Sequence, residues 1–205
     1  METLTTTLLD WGVAELARAD GEASGDVFVV EPFADGTLVA VVDGLGHGPE
    51  ASAVAQRAAT VLRRHAHEPI AALVRRCHEA LRQTRGAVLG VASFSAHEPS
   101  MSWVGVGNVE GRLLRAVPNG RPEGEALLQH AGTLGDRLPP LTVLTVPIHP
   151  GDTLVFTTDG VHHDFADAVR APNAPQEIAE RILHQHARGT DDALVLVARR
   201  REIVP

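Results

Sequence analysis

Five aspartates stand at the borders of apolar runs. Asp43 follows Leu38-Val39-Ala40-Val41-Val42, and Asp159 follows Leu154-Val155-Phe156-Thr157-Thr158. Each is succeeded by a glycine, Gly44 or Gly160. Asp26 opens the run Val27-Phe28-Val29-Val30 after Ser24-Gly25, and Asp191-Asp192 open Ala193-Leu194-Val195-Leu196-Val197-Ala198 after Gly189-Thr190. Where such runs pair as antiparallel strands, the end of one lies on the same edge as the start of its neighbour. Carboxylates gathered on one edge with no Lys or Arg between them repel, and each resists ionising. A divalent cation resolves that repulsion. All-oxygen ligands suit Mg²⁺ or Mn²⁺, and several carboxylates allow two ions about 3.5–4 Å apart, the arrangement used for in-line displacement at phosphorus. The strand order on which this depends is not contained in periodicity, and an Asp-Gly at a strand end is, taken alone, a turn.

The stretch Asp43-Gly44-Leu45-Gly46-His47-Gly48 carries the densest signal. Its glycines let the backbone take positive φ and let a ligand approach closely. His47 has two readings. An unperturbed imidazole titrates near neutrality and can protonate a leaving alkoxide, or the ring can hydrogen-bond the start of the following helix, the reading preferred here. A dinucleotide fingerprint is excluded because its third glycine would fall at Pro49. His162-His163-Asp164 has the composition of a metal cluster, but adjacent residues on extended backbone point apart, so a surface loop is expected.

The elements that must position these groups follow from spacing. Strands are predicted near 12–18, 26–33, 37–42, 87–95, 101–107, 111–117, 125–130, 141–147, 153–158 and 193–198, with turns at Asp20-Gly21, Asn119-Gly120 and Gly151-Asp152. Ala51, Val54, Ala55, Ala58, Val61 and Leu62 repeat at helical spacing, predicting a helix from Pro49 to about residue 66. A second helix begins at Pro69, with Ile70, Leu73, Val74, Cys77 and Leu81 inward, and a third covers about 175–187. Many strands on short turns, with helices inserted in pairs, argue against a doubly wound parallel sheet. They predict an α+β fold, a layered α-β-β-α sandwich of two mainly antiparallel sheets flanked by helices.

A chain of 205 residues suits one well-buried domain, taken as residues 1–205, better than two. No apolar run reaches membrane-spanning length and Met1-Glu2-Thr3 lacks a basic start, so a cytoplasmic protein without membrane contact is expected. Net charge is −8 and all 18 basic residues are Arg, scattered along the chain, which gives no electrostatic footprint for nucleic acid. The single Cys77 excludes an internal disulfide and, on an apolar helix face, is a buried structural thiol.

Ser24-Gly25-Asp26, Asp43-Gly44-Leu45-Gly46-His47-Gly48, Thr158-Asp159-Gly160 and Asp191-Asp192-Ala193 resemble, in order and spacing, the metal-dependent protein phosphatases of the SpoIIE branch, relatives of the type 2C phosphatases. The resemblance spans nearly the whole chain. Arg76-Cys77-His78-Glu79-Ala80-Leu81, Arg85-Gly86-Ala87 and Val106-Gly107-Asn108-Val109 look most like the RsbX subgroup, short stand-alone phosphatases of the bacterial stressosome. The resemblance implies two Mn²⁺ or Mg²⁺ ions. Asp43 would bridge them, the Gly44 carbonyl would contact one directly or through water, Asp159 and Asp191 would bind one metal, and Asp26 would lie near the other. Asp192, pointing away from Asp191 if the segment is extended, would support the ligands from behind. The implied reaction is hydrolysis of a phosphoserine or phosphothreonine ester by hydroxide held between the cations, without a phosphoenzyme. Implied substrates are phosphorylated STAS-domain proteins, either stressosome components or an anti-anti-sigma factor. Leu45 stands where the Asp-Gly-His motif of type 2C enzymes has a histidine proposed as general acid, so any acid role passes to His47. A non-catalytic partner-binding module with the same fold is the other reading, and the filled aspartate positions argue against it.

Overall fold

The computed structural model describes residues 8–18, 23–116, 124–165, 169 and 173–202. The apolar runs become strands, and those covered on both faces are the ones that read as unbroken. β1 (Leu9–Leu16), β2 (Asp26–Phe33) and β3 (Gly36–Gly44) precede two helices, α1 (Gly48–Arg64) and α2 (Ile70–Ala80). Then come β4 (Ala87–Ser95), β5 (Ser100–Val106), β6 (Glu110–Leu114), β7 (Gly124–Ala126), β8 (Gln129–His130), β9 (Leu144–Pro147) and β10 (Thr153–Thr157). Helix α3 (Pro175–His186) and β11 (Ala193–Arg200) complete the order.

One sheet runs β1-β11-β10-β6-β7 and the other β2-β3-β4-β5-β8, with β9 also paired to β5. Every pairing is antiparallel except the short β5–β8 contact. The period of two on β3 sorts its residues between two cores. Leu38, Ala40 and Val42 pack against α1 and α2 with Leu62, Leu73 and Cys77. Val39 and Val41 face the other sheet, meeting Phe156, Leu194 and Leu196. On β11 the alternate residues Val195 and Val197 face outward to Ile178, Ala179 and Ile182 of α3. The result is the expected α-β-β-α sandwich, and the stack of Trp103 on Phe156, centroids 5.1 Å apart, joins β5 of one sheet to β10 of the other. Cys77 is fully buried, and burial pushes its thiol up to about 12.

Several strand expectations shift: β6 ends at Leu114 rather than at 117, and β9 begins at Leu144 rather than at 141. The stretch 125–130 is two strands: β7 pairs with β6, whereas β8 pairs with β5 in the opposite sheet, so the chain changes sheets at Leu127-Leu128. β1 begins three residues earlier than predicted because its pairing with β11 extends to Leu9 opposite Arg200. The predicted turns at Asp20-Gly21 and Asn119-Gly120 lie outside the described residues. Among the described residues no helix is long and apolar enough to cross a membrane.

Candidate metal centre

The pairing register brings the first two aspartates together. Asp26, first residue of β2, lies directly opposite Asp43, near the end of β3. Cross-strand partners share a face, with Cβ atoms about 4.5–5.5 Å apart. That face is the one carrying Val39 and Val41, so both carboxylates sit at the rim of the space between the sheets. The second sheet supplies the rest: Asp159 follows β10, and Asp191-Asp192 precede its antiparallel neighbour β11. A Cβ at Gly160 would stand 1.9 Å from the Asp192 carbonyl oxygen, so only glycine allows these two turns to touch. All five aspartates line one cavity of about 190 Å³.

The side chains differ in setting. Asp26 is 8% exposed, whereas Asp159 and Asp191 are open to solvent. Asp192 is buried and accepts two backbone hydrogen bonds, from Gly25 N–H at 2.7 Å and Arg18 N–H at 2.8 Å. It thereby ties the approach to β2 to the second sheet. It does not turn away from Asp191, as an extended segment would require. Residue 191 is a bend, the Asp191 Oδ1 accepts the Asp192 N–H at 2.9 Å, and both side chains reach the same space. Gly44 does not line the cavity. Its N–H donates to the Gly25 carbonyl at 3.0 Å, and a Cβ there would lie 2.2 Å from the Ala51 carbonyl oxygen, so the residue seats α1 against β3.

His47 is the N-cap residue of α1 but makes no side-chain capping hydrogen bond; it is exposed and lines the cavity. The expectation that its ring secures the helix start is corrected accordingly. The helix instead starts on backbone geometry, with Gly46 at φ +95°, Gly48 at φ +74° and Pro49 in the first turn. His162-His163-Asp164 lies on the surface as expected: His163 pairs with Glu110, and Asp164 with His186 at 3.0 Å.

Two cavity residues escaped the sequence reading. Asn108 donates to Asp159 Oδ2 at 2.8 Å, and Arg18, whose backbone N–H donates to Asp192, joins the lining. A signal existed for Asn108 in the stretch Val106-Gly107-Asn108-Val109, where Gly107 takes φ +92° in the turn off β5. None existed for Arg18, one of many scattered arginines.

The electrostatics fit a cation. Burial, then the charge of Asp43, pushes Asp26 up to about 8; Asp192 and Asp159 add to this, and the Thr158 hydroxyl works against it. Burial, then Asp159, Asp191 and Asp192, pushes Asp43 up to about 7. Without metal the cluster relieves its repulsion by holding protons near neutrality, and a divalent ion would take their place. Among the described residues no three or more His, Cys, Asp or Glu stand close enough together to hold an ion as they are placed. Carboxylates spread around a cavity suit ions that keep several waters, as Mg²⁺ does.

Residues 34–201 match the family described as Stage II sporulation protein E (SpoIIE). The chain belongs to the SpoIIE family. It is similar to the phosphoserine phosphatase RsbX of Bacillus subtilis (strain 168), 23% identical over 171 residues that cover 83% of this chain and 84% of that protein. The structure of RsbX in complex with magnesium is 22% identical and covers 94% of this chain and 95% of its own, with a TM-score of 0.82. A protein solved in work on the bacterial stressosome as a modular system is 28% identical, at 93% and 99% coverage and a TM-score of 0.84. The catalytic domain of the serine/threonine phosphatase PstP, in complex with two manganese ions, is 18% identical at 95% and 99% coverage, with a TM-score of 0.74. The sandwich is thus the type 2C phosphatase fold, and this SpoIIE-family chain is a homologue of metal-dependent serine/threonine phosphatases.

Proposed function

We propose that the protein hydrolyses phosphoserine or phosphothreonine on a phosphorylated STAS-domain protein, with two Mn²⁺ or Mg²⁺ ions held by Asp26, Asp43, Asp159 and Asp191. The observation that carries this reading is the facing pair Asp26 and Asp43, met by Asp159 and Asp191 from the other sheet around one cavity. Asp43 would be shared between the ions, and the Gly44 carbonyl, outside the cavity lining, would reach an ion only through water. The bound ions supply Lewis-acid charge, activating water and offsetting charge on the phosphoryl oxygens.

The chain's own groups do the rest. Asn108 orients Asp159 through its amide. Asp192 fixes the backbone at Gly25 and Arg18, and so the entry to β2. Arg18 adds positive charge on the cavity wall, where a phosphoryl group would be held. His47, on the cavity lining, is placed to give a proton to the seryl or threonyl oxygen as the ester breaks.

Similarity to RsbX and to a stressosome protein supports a stressosome STAS component as substrate, with dephosphorylation resetting the signal. On this reading the whole chain acts as one phosphatase domain in the cytoplasm. The test is phosphate release from a phosphorylated stressosome STAS protein and from a phosphorylated anti-anti-sigma factor, in Mn²⁺ and in EDTA. Metal-dependent release, faster from the stressosome protein, is expected. Preference for the anti-anti-sigma factor would reassign the substrate, and release from neither would favour a non-catalytic module.

A further inference from the structure

Thr158 stands immediately before Asp159 and is buried. Its backbone N–H donates to the Leu194 carbonyl at 3.1 Å, extending the β10–β11 ladder by one step. Its hydroxyl bridges the two sheets. The Leu194 N–H, which can only donate, reaches Thr158 Oγ1 at 2.9 Å. The hydroxyl's single proton is therefore committed to its other neighbour, Asp26 Oδ2, at 2.7 Å. The bond joins residues 132 apart in sequence and is buried.

We infer that Thr158 is a positioning residue for Asp26: the hydroxyl, itself held by Leu194, fixes one carboxylate oxygen and turns the other to the metal. The inference rests on the metal reading of the cavity. Hydrogen-bond partners behind a ligand typically change metal affinity by about 10–100-fold when removed. Valine keeps the shape of threonine but has no hydroxyl; serine keeps the hydroxyl.

The experiment is calorimetric titration with Mn²⁺ of the wild type, Thr158→Val and Thr158→Ser, and of Asp26→Asn with and without Thr158→Val. Thermal melts of each chelated protein establish that it is folded. Expected is weakening of one Mn²⁺ site by about tenfold or more in Thr158→Val, with Thr158→Ser close to wild type. In the Asp26→Asn background the ion that remains should bind equally with and without the hydroxyl. Wild-type affinity in Thr158→Val, or equal weakening in the Asp26→Asn background, would overturn the inference. If Thr158→Val does not fold, Thr158→Ala, which removes the hydroxyl without adding bulk, gives the same two outcomes. Absence of Mn²⁺ binding by the wild type would instead remove the metal reading, and this inference with it.

Discussion

At the scale of single residues the centre is defined by charge that cannot be accommodated without help. Asp26 and Asp43 are pushed up to about 8 and about 7 by burial and by neighbouring carboxylates. An unfolded carboxyl titrates near about 4. Between these values the folded, metal-free protein binds more protons than the unfolded chain, so this stabilisation is full below about pH 4 and lost as pH rises through about 8. In EDTA, melting temperature should fall across that window, and Mn²⁺ should offset the fall. Asp26→Asn should flatten the slope and raise the melting temperature of the chelated protein at about pH 8, by about 2–4 °C per kcal/mol relieved. A melting temperature in EDTA that is independent of pH from about 5 to 9 would contradict this account of the cluster. His47 belongs to the same scale. His47→Ala should slow phosphoserine-protein hydrolysis by about 100-fold, the lower end of general acid catalysis. It should leave p-nitrophenyl phosphate nearly untouched, because that leaving group needs no proton. Equal loss on both substrates would remove the acid role.

At the scale of elements, glycines set how closely segments approach. Gly44→Ala would place a methyl 2.2 Å from the Ala51 carbonyl oxygen, forcing α1 off β3. The expected cost is about 1–3 kcal/mol, with loss of activity, measured by urea unfolding and phosphate release. Full stability in that variant would show that α1 can shift freely. The legibility of these elements in the sequence follows their burial. β3 and β11 were readable because layers on both faces make them continuously apolar. The aspartates were readable because each interrupts such a run at its end. What was not readable depended on pairing or on loops. Residues 125–130 look like one strand, and only their partners in different sheets divide them. The bend at Asp191 sends two adjacent carboxylates to one cavity, against the alternation of an extended chain. Arg18 and Asn108 arrive on loop segments, where no periodicity points to them.

For the molecule as a whole, the centre lies where two sheets meet, and neither sheet holds it alone. β2 and β3 bring Asp26 and Asp43; β10 and β11 bring Asp159 and Asp191. Cross-sheet bonds from the Gly25 N–H to Asp192 and from the Thr158 hydroxyl to Asp26 hold the two halves in register. The acidic chain, at net charge −8, offers no net attraction to nucleic acid. The most direct test is Mn²⁺ titration at pH 7 by calorimetry in buffers of different ionisation enthalpy, on the wild type and Asp43→Asn. With carboxyls that titrate near about 7 and about 8, wild-type binding should take up two ions and release protons to the buffer. Asp43→Asn, lacking the bridging ligand, should lose both the binding and the proton release. Binding by Asp43→Asn with wild-type affinity and proton release would contradict a centre built on that aspartate.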